Sequence, residues 1–313
     1  MSAELLAAIQ GAEARVRPWI LETPLEPSPL GPWLKLEQLQ HTGSFKVRGA
    51  FSKLLALDAG TRARGVIAAS TGNHGAAVSY AAGKLGVQAR IVVPQGADQG
   101  KLAAIRALGG ELEVHGDDSA LAEQYARREA ERLGVAYLSP YNDLDVVAGQ
   151  GTLGVELARQ LPRVDAVFIA LGGGGLLAGV AAVLKAVRPE VRIIGCSPEN
   201  SAVLIHSIRA GRILELESKP TLSDGTAGGV EPGAITFELV RSLADDYVLL
   251  TEEEIRATML LIYERHGWRV EGAAAVAVAG YLRQADRWRG AAAAAILCGG
   301  NVAPTLFDST GRS

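Results

Sequence analysis

Residues 164–176 read VDAVFIALGGGGL, a short apolar run that leads directly into four consecutive glycines. Residues 176–187 then follow a helical pattern. Consecutive glycines cost backbone entropy, so this turn between a strand and a helix indicates a function rather than simple flexibility. Because glycine has no Cβ, the backbone can approach an anion closely, and the N–H groups at a helix N-terminus favour a phosphate. The segment therefore predicts a strand, a phosphate-binding turn and a helix.

The same glycines allow a second interpretation. Residues 173–178 read GGGLLA, which fits the loose G-x-G-x-x-A pattern of dinucleotide sites, with Glu199 at a possible ribose position. This pattern alone is weakly specific, so other parts of the chain have to distinguish a dinucleotide from another phosphorylated ligand.

Short β-branched runs alternate with longer helical patterns along most of the chain. Runs that begin at Gly65, Ala89 and Leu112 each precede a helical pattern, and the alternation returns near Ala166 and Val191. Such alternation predicts an α/β fold in which a parallel sheet is covered by helices on both faces. Residues 220–233 are rich in Gly, Thr, Ser and Pro, and they predict a long ordered loop, which in a compact protein is usually functional.

Two further loops follow strands and carry polar groups. Residues 69–75 read ASTGNHG and place hydroxyls, an amide and N–H groups at a helix N-terminus, which suits a carboxylate. His74 by itself is more typical of a capping or packing histidine than of a catalyst. Residues 297–301 read LCGGN. Cys298 by itself indicates a small buried residue, but at the end of a strand its thiol is placed to contact a ring nitrogen.

Residues 43–46 read GSFK and precede a helical stretch. Gly43 permits a sharp turn and Ser44 can cap the helix, so Lys46 is expected in the first helical turn. The positive end of the helix dipole and burial both disfavour a charged amine there, and a Schiff base requires the neutral amine. Local sequence alone favours a solvated surface lysine, so the other motifs have to support a chemical role.

Composition excludes several classes of function. The chain has 313 residues and a net charge of −3, without a basic cluster that would indicate a nucleic-acid partner. No basic segment precedes an N-terminal apolar run, and no apolar stretch reaches the about 20 residues that cross a bilayer, so we expect a cytoplasmic protein without a membrane span. Two cysteines and five histidines show no metal-ligand spacing, and we expect no zinc site.

Together these segments resemble the fold-type II pyridoxal-phosphate (PLP) enzymes, most closely their serine/threonine dehydratase (ammonia-lyase) branch. The resemblance runs over nearly the whole chain, and its motifs together are highly specific. In order they are residues 23–25 (TPL), 43–50 (GSFKVRGA), 70–75 (STGNHG), 148–152 (AGQGT), 172–175 (GGGG), 223–225 (SDG) and 298–301 (CGGN). The resemblance implies pyridoxal 5'-phosphate as the cofactor.

The resemblance also implies a role for each candidate residue. Lys46 would form the Schiff base with the cofactor and then act as the base that removes the α-proton. The cofactor-binding residues would be Phe45 and Gly225 on the two ring faces, Asn73 at the ring hydroxyl, Cys298 at the pyridine nitrogen, and Gly172, Gly173, Gly174, Gly175 and Leu176 at the phosphate. The substrate carboxylate would be bound by Ser70, Thr71, Gly72, Asn73 and His74. A neutral thiol donates weakly to the ring nitrogen, which suits β-elimination.

The implied function is a lyase that eliminates water from L-threonine or L-serine and gives a 2-oxo acid and ammonia. Gly228 and Gly229 remove side chains near the substrate's β-carbon, so another 3-hydroxy amino acid, such as hydroxyaspartate or phenylserine, is the alternative. Racemase-like relatives carry a serine at the position of Thr71 and acidic metal ligands at those of Ser197 and Val203, so racemisation and a divalent-cation site are disfavoured. A PLP-binding or dinucleotide-binding sensor is the remaining alternative.

The resemblance further implies two domains. Residues 1–64 and 142–313 would form a large PLP-binding domain, residues 65–141 a small inserted βαβ domain, and the cofactor would lie between them. The chain stops at Ser313, so we expect no C-terminal regulatory domain and no feedback control by an end-product amino acid. Relatives are commonly dimers, and we expect a homodimer.

Overall fold

The computed structural model describes residues 2–303 and Phe307, and within these residues the chain alternates between helices and strands. The helices are α1 (Ser2–Val16), α2 (Lys46–Ala56), α3 (Ala59–Ala63), α4 (Asn73–Leu85), α5 (Gln99–Ala107), α6 (Ser119–Leu133), α7 (Leu144–Gln160), α8 (Gly175–Val187), α9 (Val203–Ala210), α10 (Ile235–Leu243), α11 (Glu252–His266) and α12 (Gly272–Arg283). The strands are β1 (Leu25–Pro27), β2 (Trp33–Leu36), β3 (Val66–Ala69), β4 (Ala89–Val93), β5 (Glu111–Val114), β6 (Ala136–Tyr137), β7 (Ala166–Ala170), β8 (Arg192–Pro198), β9 (Asp246–Leu250) and β10 (Ala293–Leu297).

The strands form two sheets. The large sheet has the order β1-β2-β10-β7-β8-β9, and the small sheet has the order β5-β4-β3-β6. All neighbouring strands are parallel except β1 and β2, which pair antiparallel with Leu25 opposite Lys35. Antiparallel pairing follows from the short connection between β1 and β2, which is too short for a crossover. The predicted parallel α/β architecture is therefore confirmed, with one antiparallel strand at the edge of the large sheet.

Helices cover the large sheet because its central strands are apolar on both faces. Every residue of β7 and β10 is buried. Helix α12 packs against β7, β8 and β10, while α8 packs against β7 and β8 and in turn on α7. Alternating polar positions are absent from these strands, as expected for parallel strands between two helical layers.

Helix α2 lies between the two sheets. Its residues Val47, Phe51 and Leu54 share one apolar cluster with Ile91 and Ile105 of the small-sheet region. The helix also packs against α7, which belongs to the layer on the large sheet. The first residue of α2 is therefore held by the packing of both sheets.

Four buried charged side chains fix the other face of α2. Arg48 forms paired hydrogen bonds with Glu37 and with Glu156, at N–O distances of 2.6–2.9 Å. Lys35 Nζ lies 2.6 Å from Glu156 Oε2. Burial alone would raise the pKa of Glu37, but the adjacent Arg48 outweighs it and holds that pKa below its usual value. Two positive and two negative charges therefore compensate one another inside the core.

The predicted loop at residues 220–233 is longer in the structure. Between Gly211 and Ile235 the chain contains one 3-10 turn, Asp224–Thr226, and otherwise no regular structure. The turn is held by a hydrogen bond of 2.6 Å between the hydroxyls of Ser223 and Thr226. This segment places Gly225 beside Glu271 and Ala273.

Candidate active site

Lys46 is the first residue of α2, as expected, but Ser44 does not cap the helix. The N-cap is Phe45, and no side chain accepts a capping hydrogen bond. The turn is held instead by the end of β10: Phe45 N donates to Cys298 O at 3.1 Å, and Ser44 forms a β-bridge with Gly299. The predicted cap was wrong because tertiary pairing with β10 replaces local capping.

The Lys46 amine is placed for chemistry rather than solvation. Its side chain is half-buried, and Nζ donates to the carbonyl of Pro140 at 3.1 Å. The same atom lies 5.2 Å from the centre of the Phe45 ring. Burial lowers the pKa of Lys46 to about 8, although Cys298 and Glu271 oppose this effect. The shift has the direction expected for a nucleophilic lysine and brings the neutral amine within reach near physiological pH.

Asn73 and Cys298 meet around a buried carboxyl group, Glu271. Asn73 Nδ2 donates to both Glu271 oxygens at 2.9 Å, and Cys298 Sγ lies 4.0 Å from Glu271 Oε1. Burial raises the pKa of the Cys298 thiol well above its usual value, and the Glu271 carboxyl raises it further. Cys298 is therefore a neutral thiol. The charge on Lys46 interacts with Cys298 and with Glu271, so one cluster contains the Lys46 amine, the Asn73 amide and the Cys298 thiol.

The tetraglycine turn is closely packed, and a side chain at Gly172, Gly173 or Gly174 would displace a neighbouring residue. A Cβ added at Gly172 would lie 2.8 Å from the Thr226 backbone, and one at Gly173 would overlap the ring of Tyr141. Gly174 has a φ of +88° and is the N-cap of α8. A left-handed N-cap in so confined a turn requires glycine. The turn thus presents backbone N–H groups at the start of α8, which is the geometry of an anion site.

The segment 70–75 also runs into a helix, because α4 begins at Asn73. Gly72 N donates to Ser70 Oγ at 3.1 Å, so the loop folds back on itself. His74 is buried, and its Nε2 lies 2.8 Å from the Leu138 carbonyl. Burial and the nearby Lys46 lower the pKa of His74 to about 3, so the ring is neutral and donates to that carbonyl. The ring anchors the loop, in agreement with the packing interpretation, and only the backbone N–H of His74 is left to face a carboxylate.

Gly225 lies next to the same cluster. A Cβ added there would be 3.1 Å from Ala273 Cβ and 3.5 Å from Glu271 Oε1. The adjacent Asp224 forms an ion pair with Lys101 of α5, with 2.7 Å between Oδ2 and Nζ. The 3-10 turn of the large-sheet region is therefore joined to a helix of the small-sheet region beside the cleft.

Sequence reasoning missed Glu271 and Tyr141. Glu271 is the only charged residue in the segment 270–280 (VEGAAAVAVAG), and it lies at the N-cap of α12. An isolated acid at the start of an apolar helix is a signal of a buried, partnered carboxyl group. Tyr141 packs on Gly173 and Gly175, and its hydroxyl accepts from Glu231 N at 3.0 Å. Its contact with the glycines depends on tertiary structure and has no local signal.

These residues fit PLP. The cofactor needs an amine for its aldehyde, an anion site for its phosphate and a defined partner for its ring nitrogen. Lys46 offers an amine of lowered pKa, the tetraglycine turn offers backbone N–H groups at the start of α8 without side chains of its own, and Cys298 offers a neutral thiol.

Neither a metal-binding cluster nor a membrane-spanning helix is found in the part of the chain that the structure describes. No group of three or more His, Cys, Asp or Glu side chains there is arranged to hold a metal ion. Ser197, which stands where a racemase-like metal site would need an acidic ligand, donates instead to the Leu171 carbonyl at 2.5 Å. Among the described helices, none combines the length and apolar character that crossing a membrane requires.

Comparison with known proteins gives one consistent family. Residues 16–299 match the family model described as "Pyridoxal-phosphate dependent enzyme". The L-threonine ammonia-lyase of Thermotoga maritima is 42% identical over 276 residues, which cover 88% of this chain and 68% of that protein. The processed form of threonine deaminase isoform 2 from Solanum lycopersicum has a TM-score of 0.93 at 34% identity and covers 99% of this chain and 93% of its own. Maize serine racemase has a TM-score of 0.91 at 32% identity, with coverage of 97% and 96%. The chain therefore belongs to the pyridoxal-phosphate dependent enzymes of fold type II.

Proposed function

We propose that this protein is a PLP-dependent ammonia-lyase that eliminates water from L-threonine, or from L-serine, to give a 2-oxo acid and ammonia. The observation that carries the proposal is the cluster around Glu271, in which the start of α2 with the Lys46 amine of lowered pKa is hydrogen-bonded to the segment of the neutral Cys298 thiol. The names of the ammonia-lyase and the threonine deaminase reported above support this choice of reaction.

The cofactor site would be assembled from both sheets. When bound, PLP supplies an electron sink for the substrate's α-carbon. The backbone N–H groups of residues 172–176 would bind its phosphate, Phe45 and Gly225 would flank the ring, and Asn73 would donate to the ring oxygen. Cys298 would face the ring nitrogen as a neutral, weak donor, which favours elimination over reactions that need a stronger electron sink.

Lys46 would hold the cofactor and, once displaced by the substrate amine, remove the α-proton. A base works best when its pKa lies near the working pH, and burial brings the pKa of Lys46 to about 8. The hydrogen bond from Nζ to the Pro140 carbonyl restrains the amine at the wall of the cleft. The same residue is thus suited to both roles without a second base.

The substrate carboxylate would be bound by the loop that precedes α4. Ser70, Thr71 and Gly72, with the N–H groups of Asn73 and His74, offer hydroxyl and backbone donors at a helix N-terminus. A carboxylate bound there would lie in the same cluster as Lys46, whose charge contributes to the lowered pKa of His74.

Residues 1–64 and 142–313 are proposed as the large PLP-binding domain, and residues 65–141 as the small inserted domain. Hydrogen bonds between Asn73 and Glu271 and the ion pair between Lys101 and Asp224 cross the proposed boundary beside the site. The homodimer and the cytoplasmic location stay predictions from the sequence.

A substrate panel tests the proposed reaction. Purified protein with PLP is given L-threonine, L-serine, 3-hydroxyaspartate and phenylserine, and release of the 2-oxo acid is followed for each. We expect the highest kcat/KM with L-threonine and no release by the Lys46→Ala variant. Gly228 and Gly229 border open space, with no atom within 4 Å of an added Cβ, so these residues do not exclude the two bulkier substrates and the panel has to include them. Turnover of phenylserine or hydroxyaspartate alone would contradict the threonine assignment, and exchange of the α-proton without 2-oxo acid release would favour a racemase.

A further inference from the structure

Glu271 is a buried carboxyl group at the centre of the site, and the proposed reaction gives it no role. Its side chain is 5% exposed. It is the N-cap of α12 in the large-sheet region, while its partner Asn73 is the first residue of α4 in the small-sheet region. Burying a carboxyl group is costly unless it is hydrogen-bonded, so its retention here calls for a function.

Glu271 and Asn301 together fix the orientation of the Asn73 amide. Asn301 Nδ2 donates to Asn73 Oδ1 at 2.7 Å and also to the Thr42 carbonyl at 2.8 Å. On the other side, Asn73 Nδ2 lies 2.9 Å from each Glu271 oxygen. Rotating the amide by 180° would set donor against donor at Asn301 and acceptor against carboxylate at Glu271.

This arrangement leaves one donor of Asn73 unused. An amide nitrogen carries two hydrogens, and the two equal distances to Glu271 are those of one N–H shared between both oxygens. The second N–H is free for an oxygen on a bound ligand. An ionised carboxylate only accepts hydrogen bonds, whereas a protonated one also donates, so the proton on Glu271 changes the partner that Asn73 meets.

The charges around Glu271 place its titration near neutral pH. Burial raises its pKa to about 7, and Asp224 adds to the increase. The hydrogen bond from Asn73 and the charge of Lys101 oppose it. Cys298 stays neutral beside it, and Lys46 titrates higher, at about 8. Glu271 is therefore ionised above about pH 7 and protonated below it.

We propose that Glu271 is a positioning residue for the cofactor: its carboxylate holds the Asn73 amide so that one N–H points to the oxygen on the cofactor ring, and protonation of Glu271 weakens that hold. The inference rests on the proposed function, because it requires PLP in this cleft. It adds a proton-dependent step of cofactor binding that does not involve Lys46.

The test measures the dissociation constant of PLP and the visible absorption of the complex between pH 6 and 9. In the wild type we expect tighter binding as the pH rises, with one component near pH 7 from Glu271 and one near pH 8 from Lys46. Glu271→Gln keeps the shape and an acceptor for Asn73 but cannot change charge, so the component near pH 7 disappears and the one near pH 8 stays. Glu271→Ala also releases the amide, and we expect PLP to bind about tenfold more weakly at pH 8.

Glu252→Gln is the matched control. Like Glu271, Glu252 lies at the start of a helix, in this case α11. It accepts a hydrogen bond of 2.7 Å from the backbone N of Leu222, in the loop that also contains Asp224, but it has no hydrogen bond to Asn73. It should match the wild type in both measurements. A Glu271→Gln variant with the wild-type pH profile would overturn the inference, even if Glu271→Ala does not fold. A wild-type protein that binds no PLP would overturn the proposed function and this inference together. If the wild type binds PLP and Glu271→Gln shows the same pH profile, only the inference is overturned.

Discussion

Arg48 Nη1 lies 2.6 Å from Glu156 Oε1 inside the core, two residues along α2 from Lys46. The side chain of Arg48 is fully buried and bridges Glu156 and Glu37, which are 119 residues apart in sequence (156 − 37). Helix α2, which presents the reactive amine, is therefore attached through two buried ion pairs of Arg48. One joins it to Glu37 directly after β2, and the other joins it to Glu156 of α7.

Arg48→Met should destabilise the protein strongly, because the buried Glu37 carboxylate loses its ion-pair partner and Glu156 keeps only Lys35. We expect the free energy of unfolding to fall by about 3–5 kcal/mol, measured by urea denaturation. The control is Arg159→Met, which removes the half-exposed pair with Glu22 and should cost no more than about 1 kcal/mol. Equal losses in the two variants would show that the buried network does not hold α2.

Gly173→Ala should weaken cofactor binding without unfolding the protein. The added methyl group would overlap the Tyr141 ring, so either the ring or the phosphate-binding turn has to move. We expect the affinity for PLP to fall at least about tenfold, the effect of losing one hydrogen bond to a charged group. Gly229→Ala adds the same methyl group in open space and should leave PLP affinity unchanged. An unchanged affinity in Gly173→Ala would contradict the assignment of this turn to the phosphate.

Covalent attachment of PLP should speed up as the pH rises and level off above about pH 8. The reacting form of Lys46 is the neutral amine, and burial lowers its pKa from the usual 10.5 to about 8, so the amine is charged below that value and neutral above it. Rapid mixing of cofactor-free protein with PLP at a series of pH values gives the profile. A rate that continues to climb to pH 10 would indicate a solvated lysine.

Lys101→Met should weaken substrate binding modestly and cost little stability. Lys101 of α5 pairs with Asp224 beside Gly225, but both side chains are partly exposed, so the pair is worth less than about 1 kcal/mol. We expect KM for L-threonine to rise by up to about fivefold, the factor that corresponds to such an energy, with kcat little changed. A fall in kcat with an unchanged KM would place the effect of this pair on the chemical step instead.

The sequence was sufficient where structure depends on local pattern. The β-branched runs, the tetraglycine at the start of α8 and the polar loop before α4 all predicted elements that the structure contains, because strand, turn and helix propensities act over a few residues. Lys46 was placed in the first turn of α2 for the same reason. Burial of the segment 166–170 on both faces likewise follows from its composition.

The remaining features depend on contacts between distant parts of the chain. Ser44 was expected to cap α2, but its segment pairs with Gly299, more than 250 residues away, and the local cap is not formed. Glu271 was missed because Asn73, 198 residues away, is what makes it part of the site. Neither a capping rule nor a motif contains information about such pairs.

Reductive trapping tests the central claim most directly. The protein is incubated with PLP, reduced with borohydride, digested with protease and examined by mass spectrometry, with Lys46→Ala treated in parallel. We predict that the mass of the reduced cofactor is added to the peptide that contains Lys46, and that the variant gains none on any peptide. Addition to another lysine, or a wild-type protein that forms no adduct, would contradict the assignment of Lys46 as the residue that carries the cofactor.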